Sequence, residues 1–392
     1  MTRIIDWRRA EDPRDVVHQA VQELTEGRLL VVPTDTCYVA LASALFPQAV
    51  RALETWTQRK GHQLSLVPRS AEEVLDFLPQ ISRGAHRLAR KVWPGPLVIE
   101  HARGSGAGSL LDCISSESLE LFLTETQHVR MWLPGNEILS YILRLHSGPL
   151  AVGLPKSADR AGGRAGVKLV EDERMEVVTH VGQLMVDPAV LAIDAGPIEG
   201  IGTPTVVRVD GSNGVVISEG VIAKEQLQAL SQLLVLVVCT GNTCRSPMAA
   251  ALIQKKLLER FGGKAESVPV VVASAGVSAF GGDPASPGAR QAIRDYGLQL
   301  ESHRSTQLHS YLVEQADLIL VMGNRHRSVI GSQWPEHMKK VHLMATDGGD
   351  ISDPFGGSLE LYQQCARDLD RYTSQWVDQL DASTVIRWES RL

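Results

Sequence analysis

Cysteine is scarce, five residues in 392, and the odd set has no repeating framework. A disulfide scaffold is therefore excluded; a reducing compartment follows, in which any special cysteine is reactive rather than structural. Long apolar runs are missing as well. The longest, such as residues 233–238, have strand length, so no membrane span is expected. The opening MTRIIDWRRAEDPR is charged throughout and lacks the apolar centre of a signal peptide, which makes a cytoplasmic location the expectation. Basic excess is absent: 23 Lys and Arg face 28 Asp and Glu over residues 1–231, and 16 face 17 over 232–392. Neither half has the charge of a nucleic-acid binder. His62 and His86 lack metal-ligand spacing, so no metal and no cofactor are assigned.

What is present fits a folded α/β protein of two domains, with 44% hydrophobic and 21% charged residues in a chain too long for one ordinary core. In residues 1–231 a helical pattern over 16–24 stops at Gly27 and precedes a short buried strand at 29–32. Further helical patterns lie near 47–59, 71–78, 84–92, 136–145 and 223–232, and further strands at 97–101 and 205–209. The mixture lacks strict alternation. Residues 232–392 are more regular: apolar runs at 233–238, 269–273, 317–322 and 340–344 alternate with amphipathic patterns at 247–261, 287–297, 308–315 and 358–380. That spacing predicts a parallel four-stranded sheet with helices on both faces. No Pro/Ser-rich tether marks the boundary near 232, and no internal repeat is visible.

The stretch VLVVCTGNTCRSPMAAAL, residues 235–252, concentrates the chemistry. Its strand aims the loop at the carboxyl edge of the sheet, where open α/β sheets bind ligands. Ser246-Pro247 predicts a helix start, with Ser246 as the cap and proline at the first helical position. A helix N-terminus offers N–H groups to an anion, and Gly241 and Asn242 tolerate the left-handed backbone that turns further amides inward. Arg245 adds a fork suited to two phosphate oxygens. The same field should keep Cys239 largely thiolate at neutral pH, a nucleophile aimed at phosphorus. The alternatives are a nucleotide cradle, although the Gly-Lys-Ser/Thr ending of a Walker loop is absent, or a plain strand-to-helix turn.

CTGNTCRSPMAAAL, with SAG at 274–276 and DPFGGS at 353–358, closely resembles the low-molecular-weight protein tyrosine phosphatase family over about 233–380. The resemblance implies a phosphocysteine mechanism without metal or cofactor. Cys239 attacks, Arg245 and the loop residues Thr240, Gly241, Asn242, Thr243 and Cys244 hold the phosphate, and Ser246 stabilises the thiolate. Asp353 matches the general acid; Phe355 follows it where substrate binds. Thr243 and Gly356 replace an aliphatic residue and an aromatic of many tyrosine-specific members, which is similar to the bacterial branch acting on phosphoarginine; phosphotyrosine is the alternative. Cys244 matches a cysteine that in some members forms a disulfide with the nucleophile under oxidation. A phosphorylated protein is the implied partner.

In residues 1–231, PTDT at 33–36, Lys60-Gly61, WPGP at 93–96, GPLA at 148–151, Ser157-Ala158 and TVV at 205–207 resemble the YrdC-like family. That family has a large twisted α/β fold and makes threonylcarbamoyl-adenylate from threonine, bicarbonate and ATP. The resemblance puts Thr34, Thr36, Lys60 and Ser157 at the nucleotide and substrate. Departures are many: Lys60-Gly61-His62, Ser157-Ala158-Asp159, Trp132-Leu133-Pro134, Pro204 and Ser218-Glu219-Gly220 stand where the family has more cations or hydrogen-bonding groups. Electrostatics then argues against ordinary ATP binding, leaving weak or no binding of nucleotide or RNA. The domain is expected to be a silent sensor, docking surface or scaffold. The alternative function is an active synthase with an auxiliary phosphatase.

Overall fold

The first unit of the chain comprises Met1–Ser231 with Ile386–Leu392, and the second comprises Gln232–Val385. The computed structural model describes residues 3–57, 64–104, 108–156, 177–184, 187, 190–199, 202–264 and 268–389. Among them no helix is long and apolar enough to cross a membrane.

In the first unit, strands β1 (Arg3–Asp6), β2 (Leu29–Pro33), β3 (Tyr38–Ser43), β4 (Ser65–Val67), β5 (Leu97–Ala102), β6 (His128–Trp132), β7 (Leu150–Gly153), β8 (Val190–Asp194), β9 (Thr205–Asp210) and β10 (Asn213–Ser218) build one mixed sheet. Its order among the described residues is β1-β8-β2-β3-β7-β4-β6-β5-β9-β10, closed at one edge by a strand from the far end of the chain, Arg387–Trp388. That strand lies beyond the second unit in sequence, so the chain returns to its first fold. Gly214 on β10 makes room for it: a Cβ there would stand 2.4 Å from Ile386 and 2.8 Å from the Trp388 ring. The helix Pro13–Thr25 starts on an Asp12 cap and ends before Gly27, whose φ of 75° suits glycine.

The second unit is an all-parallel sheet of β11 (Leu233–Cys239), β12 (Val270–Gly276), β13 (Leu318–Val321) and β14 (Val341–Leu343), in the order β12-β11-β13-β14. Side chains alternate along β11. Val235, Val237 and Cys239 enter a core with Leu252 of helix Arg245–Arg260 and Leu369 of helix Leu359–Gln379; Leu236 and Val238 enter the other core, with Val313 and Ile330. The strand after β11 pairs on one side and the next on the other, so the strand order reverses at the carboxyl end of β11. Ligands enter open α/β sheets at such a point. The architecture is the expected α/β one, and the α-helices Ser116–Glu120 of the first unit and Asn324–Gln333 of the second are ones that the sequence pattern did not mark.

Candidate active site

The chain leaves β11 at Cys239, turns through residues 240–244, and enters a helix whose first residue is Arg245. The helix thus begins one residue before the expected Ser246 cap. Ser246 lies inside the first turn, fully buried, with its Oγ 2.9 Å from Cys239 Sγ. Asn242 explains how the loop holds its shape. Its φ is 54°, it has no exposure, and its Nδ2 donates to Ser246 Oγ and Ser274 Oγ, both at 2.9 Å. Its Oδ1 accepts from the Thr306 amide at 2.8 Å, and its own amide donates to Cys239 Sγ at 3.2 Å. His303 Nε2 donates to the Asn242 carbonyl at 2.7 Å, since a carbonyl can only accept. Gly276, closing the SAG segment, is crossed by this loop: a Cβ there would meet the Thr240 carbonyl at 2.4 Å and the Asn242 amide at 2.9 Å.

Arg245 is nine-tenths buried and reaches the loop of residues 350–354, the acid loop, so called after Asp353. One Nη donates to the Ile351 carbonyl at 3.1 Å; the other donates to Asp353 Oδ2 at 2.5 Å and to Thr240 Oγ1 at 3.4 Å. Asp353 itself is about half exposed and accepts from the Phe355 amide through Oδ1 at 3.2 Å. Phe355 projects into solvent, 72% exposed. Two sets of contacts therefore meet in this one loop: Cys239, Ser246 and Asn242 bond to one another, and Arg245 binds Thr240 and Asp353, although more than a hundred residues separate the loop from Asp353.

Burial pushes the Cys239 thiol above its ordinary value, against the Ser246 hydroxyl, the Ser246 and Asn242 amides and the Arg245 charge, which pull it down. Burial thus opposes the thiolate that the loop hydrogen bonds and the Arg245 charge favour. Cys244 faces away from the chemistry: its Sγ donates to Ser286 Oγ at 3.2 Å and lies 3.7 Å from Tyr362 Oη. Thr243 is half-buried, with Oγ1 3.6 Å from Cys244 Sγ, and a Cβ on Gly241 would stand 3.7 Å from the same Oγ1, an ordinary contact.

His303, Thr306, His326 and Ile351 were not singled out in the sequence. Each is a lone residue whose partner lies on a distant segment, so no spacing signals it. Among the described residues no cluster of His, Cys, Asp or Glu could hold a metal ion.

In the first unit, Thr34 and Thr36 are buried but serve their own turn. Thr34 Oγ1 donates to the Cys37 carbonyl at 2.7 Å and accepts from the Thr36 and Cys37 amides at 3.2 Å. Lys60, His62 and residues 157–159 lie outside the described residues. Trp132 and Pro204 line a cavity of about 40 Å³ together with Arg130 and Ser65. Arg130 does not stand free there, because it and Arg208 both bind the fully buried Glu100 carboxylate on the neighbouring strand.

Residues 234–385 match the family profile described as low molecular weight phosphotyrosine protein phosphatase, and residues 22–220, just over half of the chain, match that of Sua5/YciO/YrdC, described as telomere recombination. A protein-arginine-phosphatase of Bacillus subtilis is 40% identical over 150 residues, spanning 37% of this chain and 95% of that protein. The low molecular weight protein-tyrosine-phosphatase Wzb of Escherichia coli is 35% identical over 153 residues, 38% of this chain and 97% of its own length. Among solved structures, a YwlE mutant from Bacillus subtilis shares 39% identity, covers 38% of this chain and 98% of its own, and superposes with a TM-score of 0.34. Through its second unit the chain belongs to the low molecular weight cysteine-dependent phosphatases, and through its first to the Sua5/YciO/YrdC family.

Proposed function

We propose that the second unit hydrolyses a phosphorylated protein side chain, with Cys239 as nucleophile, Arg245 as phosphate clamp and Asp353 as proton donor and acceptor. The observation that carries the reading is the convergence of these three on one loop edge, with Ser246 and the Asn242 amide on the sulfur. In the first step the Cys239 thiolate forms a bond to phosphorus while the bond to the leaving group breaks, and Asp353 protonates that group. Phosphate on Arg245 displaces Asp353 from the guanidinium, which turns the carboxyl from a counter-ion into a proton carrier. It also restores the full charge of Arg245 to the thiolate and to the equatorial oxygens. In the second step Asp353 takes a proton from water, the oxygen bonds to phosphorus, and the P–S bond breaks to return the thiolate. The Cys239→Ser variant should lose hydrolysis of nitrophenyl phosphate; turnover that survives it rules the mechanism out.

For substrate, the preferred reading is phosphoarginine on a protein. Thr243 offers a hydroxyl at the loop where an isoleucine would be apolar, Gly356 leaves no aromatic wall, and a protein-arginine-phosphatase is among the similar proteins. Exposed Phe355 and the similarity to tyrosine phosphatases favour phosphotyrosine as the second reading. Turnover of phosphoarginine and phosphotyrosine peptides by wild type and Thr243→Ile decides: a preference that the substitution leaves unchanged defeats the first.

The first unit is read as a domain without synthase activity. Its support is the diversion of Thr34 and Thr36 into their own turn and the presence of Trp132 and Pro204 in the cavity wall. Formation of threonylcarbamoyl-adenylate from threonine, bicarbonate and ATP by the purified chain would overturn it.

A further inference from the structure

Behind the phosphate loop lies a buried histidine to which the reaction above gives no part. His326 is 4% exposed, and its Nε2 lies 2.9 Å from Thr240 Oγ1, the hydroxyl next to the nucleophile. That same oxygen accepts from Arg245 Nη2. His326 Nδ1 is buried and without a hydrogen-bond partner. A buried N–H without an acceptor costs more than an unused lone pair, so the ring proton belongs on Nε2, donated to Thr240. Thr240 Oγ1 then accepts twice, from imidazole and guanidinium, and keeps its own hydrogen for an anion in the loop.

The helix that carries His326 is fixed to the acid loop. Asp350 Oδ1 accepts from the Asn324 amide at 2.9 Å and from Asn324 Nδ2 at 3.1 Å, and the Ile351 amide donates to the Met322 carbonyl at 2.8 Å. Gly323 has no room for a side chain, since a Cβ would stand 2.6 Å from the Asp350 carboxylate. Ile351 in turn accepts from Arg245. His326 thus sits where phosphate loop, arginine and acid loop meet.

We propose that His326 is a positioning residue of the phosphatase reaction, holding the Arg245 guanidinium through the Thr240 hydroxyl. The proposal rests on the phosphatase reading. The charged groups that face the imidazole are Arg245 from the phosphate-loop helix and Asp350 and Asp353 from the acid loop. Burial first, and then Arg245, hold it below the ordinary histidine range, opposed by the Gly323 backbone and then by the two aspartates. The neutral ring is the working form. Protonation would place a second cation beside Arg245 and compete for Asp353.

The test measures kcat, KM and their pH profiles on nitrophenyl phosphate for the full chain as wild type, His326→Gln, His326→Leu, Thr240→Val and the Leu/Val double variant. His326→Leu should lose about tenfold in kcat with a smaller change in KM, because the clamp is misaimed rather than removed. Thr240→Val should lose as much, and the double variant no more than either. His326→Gln keeps a donor without a titrating ring; it should restore kcat to within threefold at neutral pH and lack the histidine component of the acid limb. Full activity of His326→Leu, additive losses in the double variant, or an unchanged acid limb in His326→Gln would each overturn the proposal. Hydrolysis that survives Cys239→Ser would instead overturn the phosphatase reading beneath it.

Discussion

Replacing Asn242 separates the two jobs the loop gives that residue, backbone conformation and hydrogen bonding. The Asn242→Ala variant removes two donations, to Ser246 Oγ and Ser274 Oγ, and one acceptance, from the Thr306 amide. At about 1 kcal/mol net for each, the loss is about 3 kcal/mol. The φ of 54° adds about 1 kcal/mol for alanine but not for glycine. Asn242→Gly should therefore cost about 3 kcal/mol and Asn242→Ala about 4. Hydrogen exchange of the β11 amides in the full chain reads this local stability. Both variants should also lose kcat by about tenfold to hundredfold, because Ser246 Oγ is no longer turned onto Cys239 Sγ. Equal stability of the glycine and alanine variants would refute the backbone half of the reasoning, and kcat within twofold of wild type would refute the hydrogen-bonding half.

Alkylation of Cys239 by iodoacetamide should accelerate with pH along a curve centred above the ordinary thiol value, since burial raises that group. Because the folded state keeps a proton that the unfolded thiol has lost, the fold should lose stability as pH rises past the ordinary value; a curve centred below it would contradict the sign. Asp353→Asn frees Arg245 from its counter-ion and should speed that alkylation near neutral pH, whereas an unchanged rate would show that the pair does not weaken the field at the sulfur. Gly276→Ala forces the Thr240 carbonyl and Asn242 amide to move and should lower kcat about tenfold or more, measured on nitrophenyl phosphate. Ile386→Ala removes a side chain 4% exposed from the core of the first unit and should cost about 2–4 kcal/mol there, read by hydrogen exchange of β9 and β10, with kcat unaltered.

The second unit was legible because its strands, with β11 and β13 the most buried, read as continuous apolar runs separated by amphipathic helices. The helix Asn324–Gln333 escaped because only His326 and Ile330 are buried in it, too few to make a stripe. In the first unit β3 buries all six of its residues and has no alternation to show, while β1 finds its partner β8 nearly two hundred residues away. The tail strand Arg387–Trp388 is two residues long, and its place was fixed by Gly214, whose missing side chain reveals a contact only once the fold is known.

The same division runs through the site. Cys239, Asn242, Arg245 and Ser246 lie within eight residues, so local geometry alone assembles them and their types announce a phosphate. Asp353 before a proline is indistinguishable from a turn residue, and only resemblance singled it out. What no local pattern could show is the charge balance between these parts. Arg245 looks like a free cation in the sequence, yet its two terminal nitrogens already serve the Ile351 carbonyl, the Thr240 hydroxyl and the Asp353 carboxylate. In the proposed mechanism an arriving phosphate competes with the Asp353 carboxylate for this guanidinium. In that mechanism the exchange unpairs Asp353 and returns the guanidinium charge to Cys239 Sγ, so the proposed nucleophile and proposed acid are made ready together by a group that competes with a carboxylate for an arginine.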